Sequence, residues 1–328
     1  MDQTIRIGTR GSPLALAQAK EVRRRLMAAV PALALPGSIA IVPIRTTGDR
    51  NLELALSEIG GKGLFTKELE DGLMAGTLDI AVHSMKDMPT VLPSGLAMSA
   101  QLPREDVRDG LLVRADITTR PTSLVTLPYS AVVGTSSLRR QSQLLALRPD
   151  CRVVPIRGNV ETRIGKVKAG LVDATLLAMA GLKRLGLSDQ ASAILDPLEM
   201  LPAVAQGAIG IQCRADATGL REVLSLLHCR DTGDRTAAER ALLSGLEGNC
   251  RTPIAALATL EPGNVLTLVS RVALPDGSEI HEDRRSGWRW EAEQLGFAAV
   301  EALRLQMSPR FRATTHKPGA GHALERAG

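Results

Sequence analysis

Aromatic side chains are nearly missing from this 328-residue chain: three Phe, two Trp and one Tyr make up 2% of it. They are Phe65, Phe297, Phe311, Trp288, Trp290 and Tyr129. The core must therefore be aliphatic, and the ring platforms on which single-stranded nucleic acids stack are excluded. Apolar runs are short. None reaches the roughly eighteen residues of a membrane span. The start, Met-Asp-Gln-Thr-Ile-Arg, lacks a basic stretch followed by an apolar one, so no secretory signal is expected. The four cysteines, Cys151, Cys213, Cys229 and Cys250, form no C-x-x-C pair. That spacing excludes the usual zinc and thioredoxin motifs, predicts no metal site and fits reduced thiols in a cytoplasm. Phosphate-loop signatures are missing too: Gly60-Gly61-Lys62-Gly63 lacks the G-x-x-x-x-G-K-[ST] spacing, and no G-x-G-x-x-G follows a strand.

What the chain does have is arginine. Of its 40 basic residues 32 are arginine and 8 lysine, against 35 acidic residues. The net charge is only +5, and the tail after residue 308 carries most of it, through Arg310, Arg312, Lys317 and Arg326 against Glu325. A near-neutral body does not steer toward nucleic acid as a whole, so clustered arginines must act locally. Apolar residues at 44% and charged residues at 23% describe a globular protein, and the length suits two or three domains.

Strand and helix patterns alternate along the first two thirds. Ile5-Arg6-Ile7 reads as a strand; Ser12-Pro13 as the cap and first turn of a helix buried through Ala15, Ala19, Val22 and Leu26; and Ile39–Ile44 as a second strand. A helix is expected over about 64–75 and a short strand over 79–83. After a Thr/Pro-rich stretch at 118–128 the pattern restarts, with strands near 131–133, 151–156 and 173–177 and helices from Leu138 and Asn159. Gly207–Cys213 reads as one more buried strand. This order implies parallel α/β sheets in two doubly wound domains. From about Ala215 onward the texture becomes α+β, and the chain from about residue 308 is expected to be frayed.

Five loops at the predicted C-terminal ends of strands combine glycine or hydroxyl residues with arginine. They are Thr9-Arg10-Gly11-Ser12, His83-Ser84-Met85-Lys86-Asp87, Gly134-Thr135-Ser136-Ser137-Leu138-Arg139-Arg140, Arg157-Gly158-Asn159-Val160-Glu161-Thr162-Arg163 and Gly181-Leu182-Lys183-Arg184. Open α/β sheets bind ligands at that edge, helix starts favour anions, and guanidinium forks clamp carboxylates. Together the loops describe a cleft for a ligand with many carboxylates. Asp87, beside Lys86, suits a general acid or base. Cys250, in a glycine-bearing loop next to Arg251, suits a nucleophile or an attachment point. His83, on an apolar strand, reads as a core histidine rather than a metal ligand, and the other cysteines read as inert thiols.

These segments resemble the porphobilinogen deaminase (hydroxymethylbilane synthase) family. So do Gly61-Lys62-Gly63-Leu64-Phe65, Ala205-Gln206-Gly207-Ala208-Ile209-Gly210 and Leu246-Glu247-Gly248-Asn249-Cys250-Arg251-Thr252-Pro253-Ile254, and all occur in the family's order from residue 4 to about 305. The resemblance implies an enzyme that joins four porphobilinogen molecules head to tail into hydroxymethylbilane, releasing ammonia, on a covalent dipyrromethane cofactor. By motif match Cys250 carries the cofactor and Asp87 is the catalytic carboxylate. Ser84, Lys86, Asp87, Thr135, Ser137, Arg139, Arg140, Arg163 and Arg184 match cofactor-binding positions; Arg10, Ser12, Lys62, Arg157, Arg163 and Gln206 match substrate-binding ones. The implied fold has two periplasmic-binding-protein-like α/β domains, 1–102 with 203–222 and 103–202, and a small α+β domain over 223–328. One motif departs from the pattern: the usual Gly-Gly-Cys-Gln-Val-Pro is here Gly248-Asn249-Cys250-Arg251-Thr252-Pro253. Asparagine tolerates positive φ better than most residues, so the loop is expected to keep its shape.

Two other classes compete. A two-lobed anion-binding protein would need the arginine loops but not Asp87 or Cys250. A nucleic-acid binder would need a basic face and would bind with steep salt dependence. The resemblance further implies a cytoplasmic monomer with no nucleic-acid or membrane partner. Sedimentation at the mass of a single chain is the expected result, and a stable dimer would refute it.

Overall fold

The computed structural model describes residues 4–46, 66–117, 120–247 and 253–315. The first unit opens with β1 (Ile5–Arg10), α1 (Pro13–Ala29) and β2 (Ile39–Ile44). It continues with α2 (Lys67–Met74), β3 (Ile80–Ser84) and β4 (Leu96–Gln101). The chain then crosses into a second unit of β5 (Asp109–Val113), β6 (Val132–Gly134), α3 (Leu138–Leu147), β7 (Arg152–Val154), α4 (Val160–Lys168), β8 (Ala174–Ala178), α5 (Met179–Arg184) and β9 (Ala193–Ile194). It crosses back into β10 (Ile209–Arg214) and proceeds through α6 (Thr218–Ser225) and α7 (Arg230–Gly245). Antiparallel strands β11 (Ile254–Glu261), β12 (Val265–Ala273) and β13 (Ile280–Trp288) follow, then α8 (Ala292–Gln306) and α9 (Pro309–Thr315).

The first sheet runs β2-β1-β3-β10-β4 and the second β7-β6-β8-β5-β9. In each, three strands are parallel, and the next strand in is antiparallel to both its neighbours. The expectation of parallel sheets therefore holds for three strands of each. The reversed strands, β10 and β5, are the ones that arrive directly from the two crossing segments, with no helix before them to turn the chain round. Residues 209–214 thus complete the sheet that began at residue 5.

The third sheet, β11-β12-β13, is covered by α7 and α8. A polar strand such as Ile280–Trp288 gives little hydrophobic signal, since its side chains alternate between half-buried and exposed. Where a frayed tail was expected from about residue 308, residues Pro309–Thr315 form α9 instead, and the rest of that stretch lies outside the described residues. Ser308 caps it, accepting from the Phe311 N–H at 3.1 Å, and Phe311 is only 1% exposed, edge-on to His281. One buried ring thereby anchors a segment whose composition is otherwise polar.

Buried charge binds the two crossing segments to the third sheet. Glu239, on α7, has no exposed surface. It accepts from Arg104 Nη1 and Nη2 at 2.6 and 3.0 Å, from the Ala205 N–H at 2.6 Å and from the Ala258 N–H at 2.8 Å. Removing one partner of such a pair leaves an uncompensated buried charge. The returning segment is tight as well. Gly207 has φ +91°, and a Cβ there would lie 2.4 Å from the Glu105 carbonyl oxygen. Gly207→Ala is expected to cost about 2 kcal/mol or more, since backbone strain and overlap with backbone both oppose it. Urea unfolding of the variant beside the parent is the check, and an unchanged midpoint would refute the point.

Candidate active site

Four of the five expected loops lie at the C-terminal ends of parallel strands, where helical turns begin; the fifth, Gly181-Leu182-Lys183-Arg184, is helical instead and forms the last residues of α5, which follows β8 directly. Thr9, with no exposed surface, donates its hydroxyl to the Ala15 carbonyl at 3.1 Å, and Ser12 caps α1 by accepting from the Ala15 N–H at 3.3 Å. Ser137 caps α3, its own N–H donating to Thr135 Oγ1 at 3.1 Å. Asn159 caps α4, accepting from the Thr162 N–H at 2.8 Å. The hydroxyl and glycine content of these loops therefore shapes helix starts, which orient the arginines one turn on.

Asp87 ends a single helical turn, Met85–Asp87, that follows β3 directly. Its side chain is exposed, while Met85 and Met88 on either side are 2% and 3% exposed and sit in the core shared with the third sheet. Gly210 of β10 makes room for Met85: a Cβ there would lie 2.2 Å from the Met85 sulfur. Behind the turn, Arg240 of α7 donates to the carbonyls of Met88 (3.3 Å), Pro89 (2.6 Å) and Thr90 (3.3 Å). The carboxylate thus stands out from a turn fixed by two buried thioethers and one half-buried guanidinium. Ser84 pairs with Gln18 of α1, whose amide nitrogen lies 2.8 Å from its hydroxyl.

Cations from both sheets converge on this turn. Lys86 feels the charges of Asp87, Arg140, Asp109 and Arg139, and Arg163 feels those of Arg140, Asp87 and Arg157. Burial pushes Lys86 below the usual lysine range; Arg140 and Arg139 add to this, while Asp87 and Asp109 oppose it. Arg163 is pushed down to about 10, first by burial and then by Arg140. Its Nε donates to the Gly158 carbonyl at 2.9 Å.

Arg139 and Arg140 meet inside the protein on a carboxylate that sequence motifs did not single out, Asp109 at the start of β5. Asp109 has no exposed surface, and the two arginines are 5% and 6% exposed. Arg139 Nη2 donates to Asp109 Oδ2 at 2.8 Å. Arg140 Nε and Nη2 donate to Oδ2 and Oδ1 at 3.1 and 2.8 Å. Burial opposes the ionised form of Asp109, yet the two arginines hold its carboxyl far below the usual range. Gln206 is 1% exposed and joins the same group, donating from Nε2 to the Val107 carbonyl at 2.6 Å and to Asp109 Oδ1 at 2.9 Å. The one available signal for Asp109 was the doubled arginine itself, which needs a counter-ion once buried.

Of the expected site residues, the structure therefore draws Lys86, Asp87, Arg139, Arg140, Arg157 and Arg163 into one electrostatic neighbourhood. Arg184 faces the returning segment, donating to the Gly207 carbonyl at 2.7 Å, and Gln206 lies within it. Arg10, half-buried, lies close enough to His83 to lower its basicity. Lys62 and Cys250 lie outside the described residues. Among the described residues no group of His, Cys, Asp and Glu is arranged to hold a metal, and no helix is long and apolar enough to cross a membrane. Cys151 and Cys213 are buried.

Chemically, the neighbourhood is a set of donors around one outward carboxylate. Arg139 Nε adds a buried N–H with no acceptor among the described residues. Such a set suits a ligand bearing several carboxylates and a reaction that moves protons at Asp87.

Residues 5–222 match the family model described as porphobilinogen deaminase, dipyromethane cofactor binding domain. Residues 234–304 match the porphobilinogen deaminase C-terminal domain. The chain is 54% identical over 283 residues to the chloroplastic porphobilinogen deaminase of Oryza sativa subsp. japonica, covering 86% of this chain and 78% of that one. It is 52% identical over 300 residues to the porphobilinogen deaminase of Paracoccus denitrificans, covering 92% and 93%. A solved periplasmic binding protein of Brucella ovis with glutathione bound aligns over 74% of this chain and 69% of its own, at 14% identity and a TM-score of 0.41.

His83 yields a test of the site's interior. It is 6% exposed and bonds Gln212 Oε1 through Nε2 at 2.9 Å; Gln212 Nε2 in turn reaches Glu70 Oε1 at 3.2 Å. Burial lowers its pKa from 6.5 to about 4, against the Gln212 bond and with help from Arg10. The unfolded chain therefore binds a proton that the folded chain refuses, and stability falls as the pH drops through this window. Between pH 7 and 5 the loss assigned to His83 is about 2 kcal/mol. Denaturant titrations at both pH values should show that His83→Asn removes that share; an equal pH dependence in parent and variant would count against it.

Proposed function

This chain belongs to the porphobilinogen deaminase family, and we propose that Asp87 is the acid and base of its reaction and Cys250 the anchor of its cofactor. The enzyme is a transferase of tetrapyrrole biosynthesis that joins four porphobilinogen molecules head to tail into hydroxymethylbilane, with loss of ammonia. The observation that supports these roles best is the outward carboxylate of Asp87 on a pinned turn, with Lys86 and Arg163 as its charged neighbours.

The cofactor of the family is a dipyrromethane. Its acetate and propionate groups fit the donors found here: Lys86, Arg157 and Arg163 half-buried in the cleft, Arg139 Nε without an acceptor among the described residues, and the hydroxyls of Ser84, Thr135 and Ser137. When bound, it supplies the first acceptor ring, held by a thioether that resists hydrolysis. Arg140 and Arg184 complete its cradle, while Arg10, Ser12, Lys62, Arg157, Arg163 and Gln206 serve the substrate side.

At each addition the C–N bond of the aminomethyl group of porphobilinogen breaks and nitrogen leaves as ammonia. Asp87 supplies the proton at the departing nitrogen. Its carboxylate then faces the cationic pyrrole left behind, stabilising charge where charge develops. After the new C–C bond forms, the attacked carbon loses its proton to the same carboxylate, which is restored for the next cycle. The fixed turn suits this work, because one acid must meet a different ring every time.

The chain is further read as a cytoplasmic monomer of three domains, 1–102 with 203–222, 103–202 and 223–328. Crossing segments tied together by Glu239 and Asp109 support that division. The plant relative's chloroplastic address belongs to that protein alone.

Asp87→Asn is expected to fold, carry the cofactor and lose turnover by about a hundredfold or more. Hydroxymethylbilane formation measures this, and near-normal activity would take Asp87 out of the role. The intact mass of the parent should exceed its sequence mass by two linked pyrrole units, and that of Cys250→Ser should not. A parent that stays unmodified after incubation with porphobilinogen would favour a binding protein instead.

A further inference from the structure

Consecutive residues on a helix diverge by about 100°, yet Arg139 and Arg140, in the first turn of α3, point their guanidiniums at one carboxylate. Asp109 makes this possible because β5 begins beside that turn. Its two oxygens accept four bonds: Arg139 Nη2 and Arg140 Nε on Oδ2, Arg140 Nη2 and Gln206 Nε2 on Oδ1. Arg139 is held from its other side by the Leu201 carbonyl, to which Nη1 donates at 2.8 Å. Asp109 ends the outgoing crossing segment; Leu201 and Gln206 belong to the returning one. Both arginines are therefore indexed to the crossing, not to the loop that carries them.

The charges follow the same arrangement. Lys86, Arg139, Arg140 and Arg163 lie in one neighbourhood, and Arg139 and Arg140 keep only 5% and 6% of their surface exposed. Two guanidiniums side by side in a low-dielectric interior need a counter-ion that a ligand cannot displace. Asp87, being exposed, must stay free for chemistry.

Resting on the reading above, we propose that Asp109 is a positioning residue for the deaminase reaction: by saturating its carboxylate with Arg139, Arg140 and Gln206, it aims the arginine pair at the carboxylates of the cofactor and growing chain without touching them. It acts through the pair, so losing it spoils the clamps while Asp87 stays where it was.

The experiment is steady-state kinetics on protein incubated with porphobilinogen, comparing the parent with Asp109→Asn, Asp109→Glu, Arg140→Gln and the Asp109→Asn/Arg140→Gln pair. Asp109→Asn is expected to raise KM about tenfold with kcat within about threefold, since uniform binding is lost and the acid is not. Asp109→Glu, which keeps the charge, should recover most of that KM. In the Arg140→Gln background the second change should add less than about threefold, because much of its route is already gone. If Asp109→Asn alone does not fold, the charge-balanced pair carries the decision by comparison with Arg140→Gln. An Asp109→Asn enzyme with parental KM, a kcat loss without a KM change, or effects that multiply in the pair would overturn the proposal. A parent that releases no ammonia from porphobilinogen sinks this proposal together with the reading beneath it, whereas an active parent with an indifferent Asp109→Asn sinks this one alone.

Discussion

A buried guanidinium needs acceptors for its N–H groups, and this fold supplies a buried carboxylate for that purpose twice at the place where its chain crosses between sheets. Glu239 takes Arg104 and two backbone N–H groups; Asp109 takes Arg139, Arg140 and an amide. In both cases each carboxylate oxygen accepts two bonds, so neither oxygen is left without a donor. The interior of the crossing is therefore charged yet satisfied. The surrounding core is aliphatic and carries almost no rings, so these pairs supply directional fixing that packed methyl groups do not.

The two aspartates contrast: one balances cations in the interior, and the other, the proposed acid, stays outside. Asp109 is enclosed and fully committed to its partners. Asp87 stands outside on a turn whose flanking methionines enter the third unit's core and whose following carbonyls are held by Arg240. The third unit thus stiffens the turn that carries Asp87. The proposed acid and the proposed anchor are separated by more than 160 positions in the chain.

Much of this was legible in the sequence, for reasons that can be named. The loops announced themselves because glycine and hydroxyl residues before a helix have a local job, and Ser12, Ser137 and Asn159 all perform it as caps. Asp87 and Lys86 stood out by following an apolar strand. Asp109 did not, because its partners lie 30, 31 and 97 positions away and no local pattern reports such a contact. The reversed strands were equally hidden: a run such as Asp109–Val113 reads the same in either direction. Phe311 shows the opposite failure: the composition of residues 309–315 is largely polar apart from one aromatic ring, and that buried ring anchors them.

The order of the first sheet bears on how the protein is made. Strands β3 and β4 are not neighbours; β10 lies between them. While the ribosome is still short of residue 214, that sheet has a gap where a strand belongs, and the edges facing the gap are unpaired main chain. The second sheet needs nothing beyond residue 194 and can close while the first is still open. Synthesis runs from the N-terminus, but completion runs the other way: the later unit is finished first and hands back the strand that completes the earlier one. Nascent chains halted before residue 209 should therefore be the ones that call on chaperones.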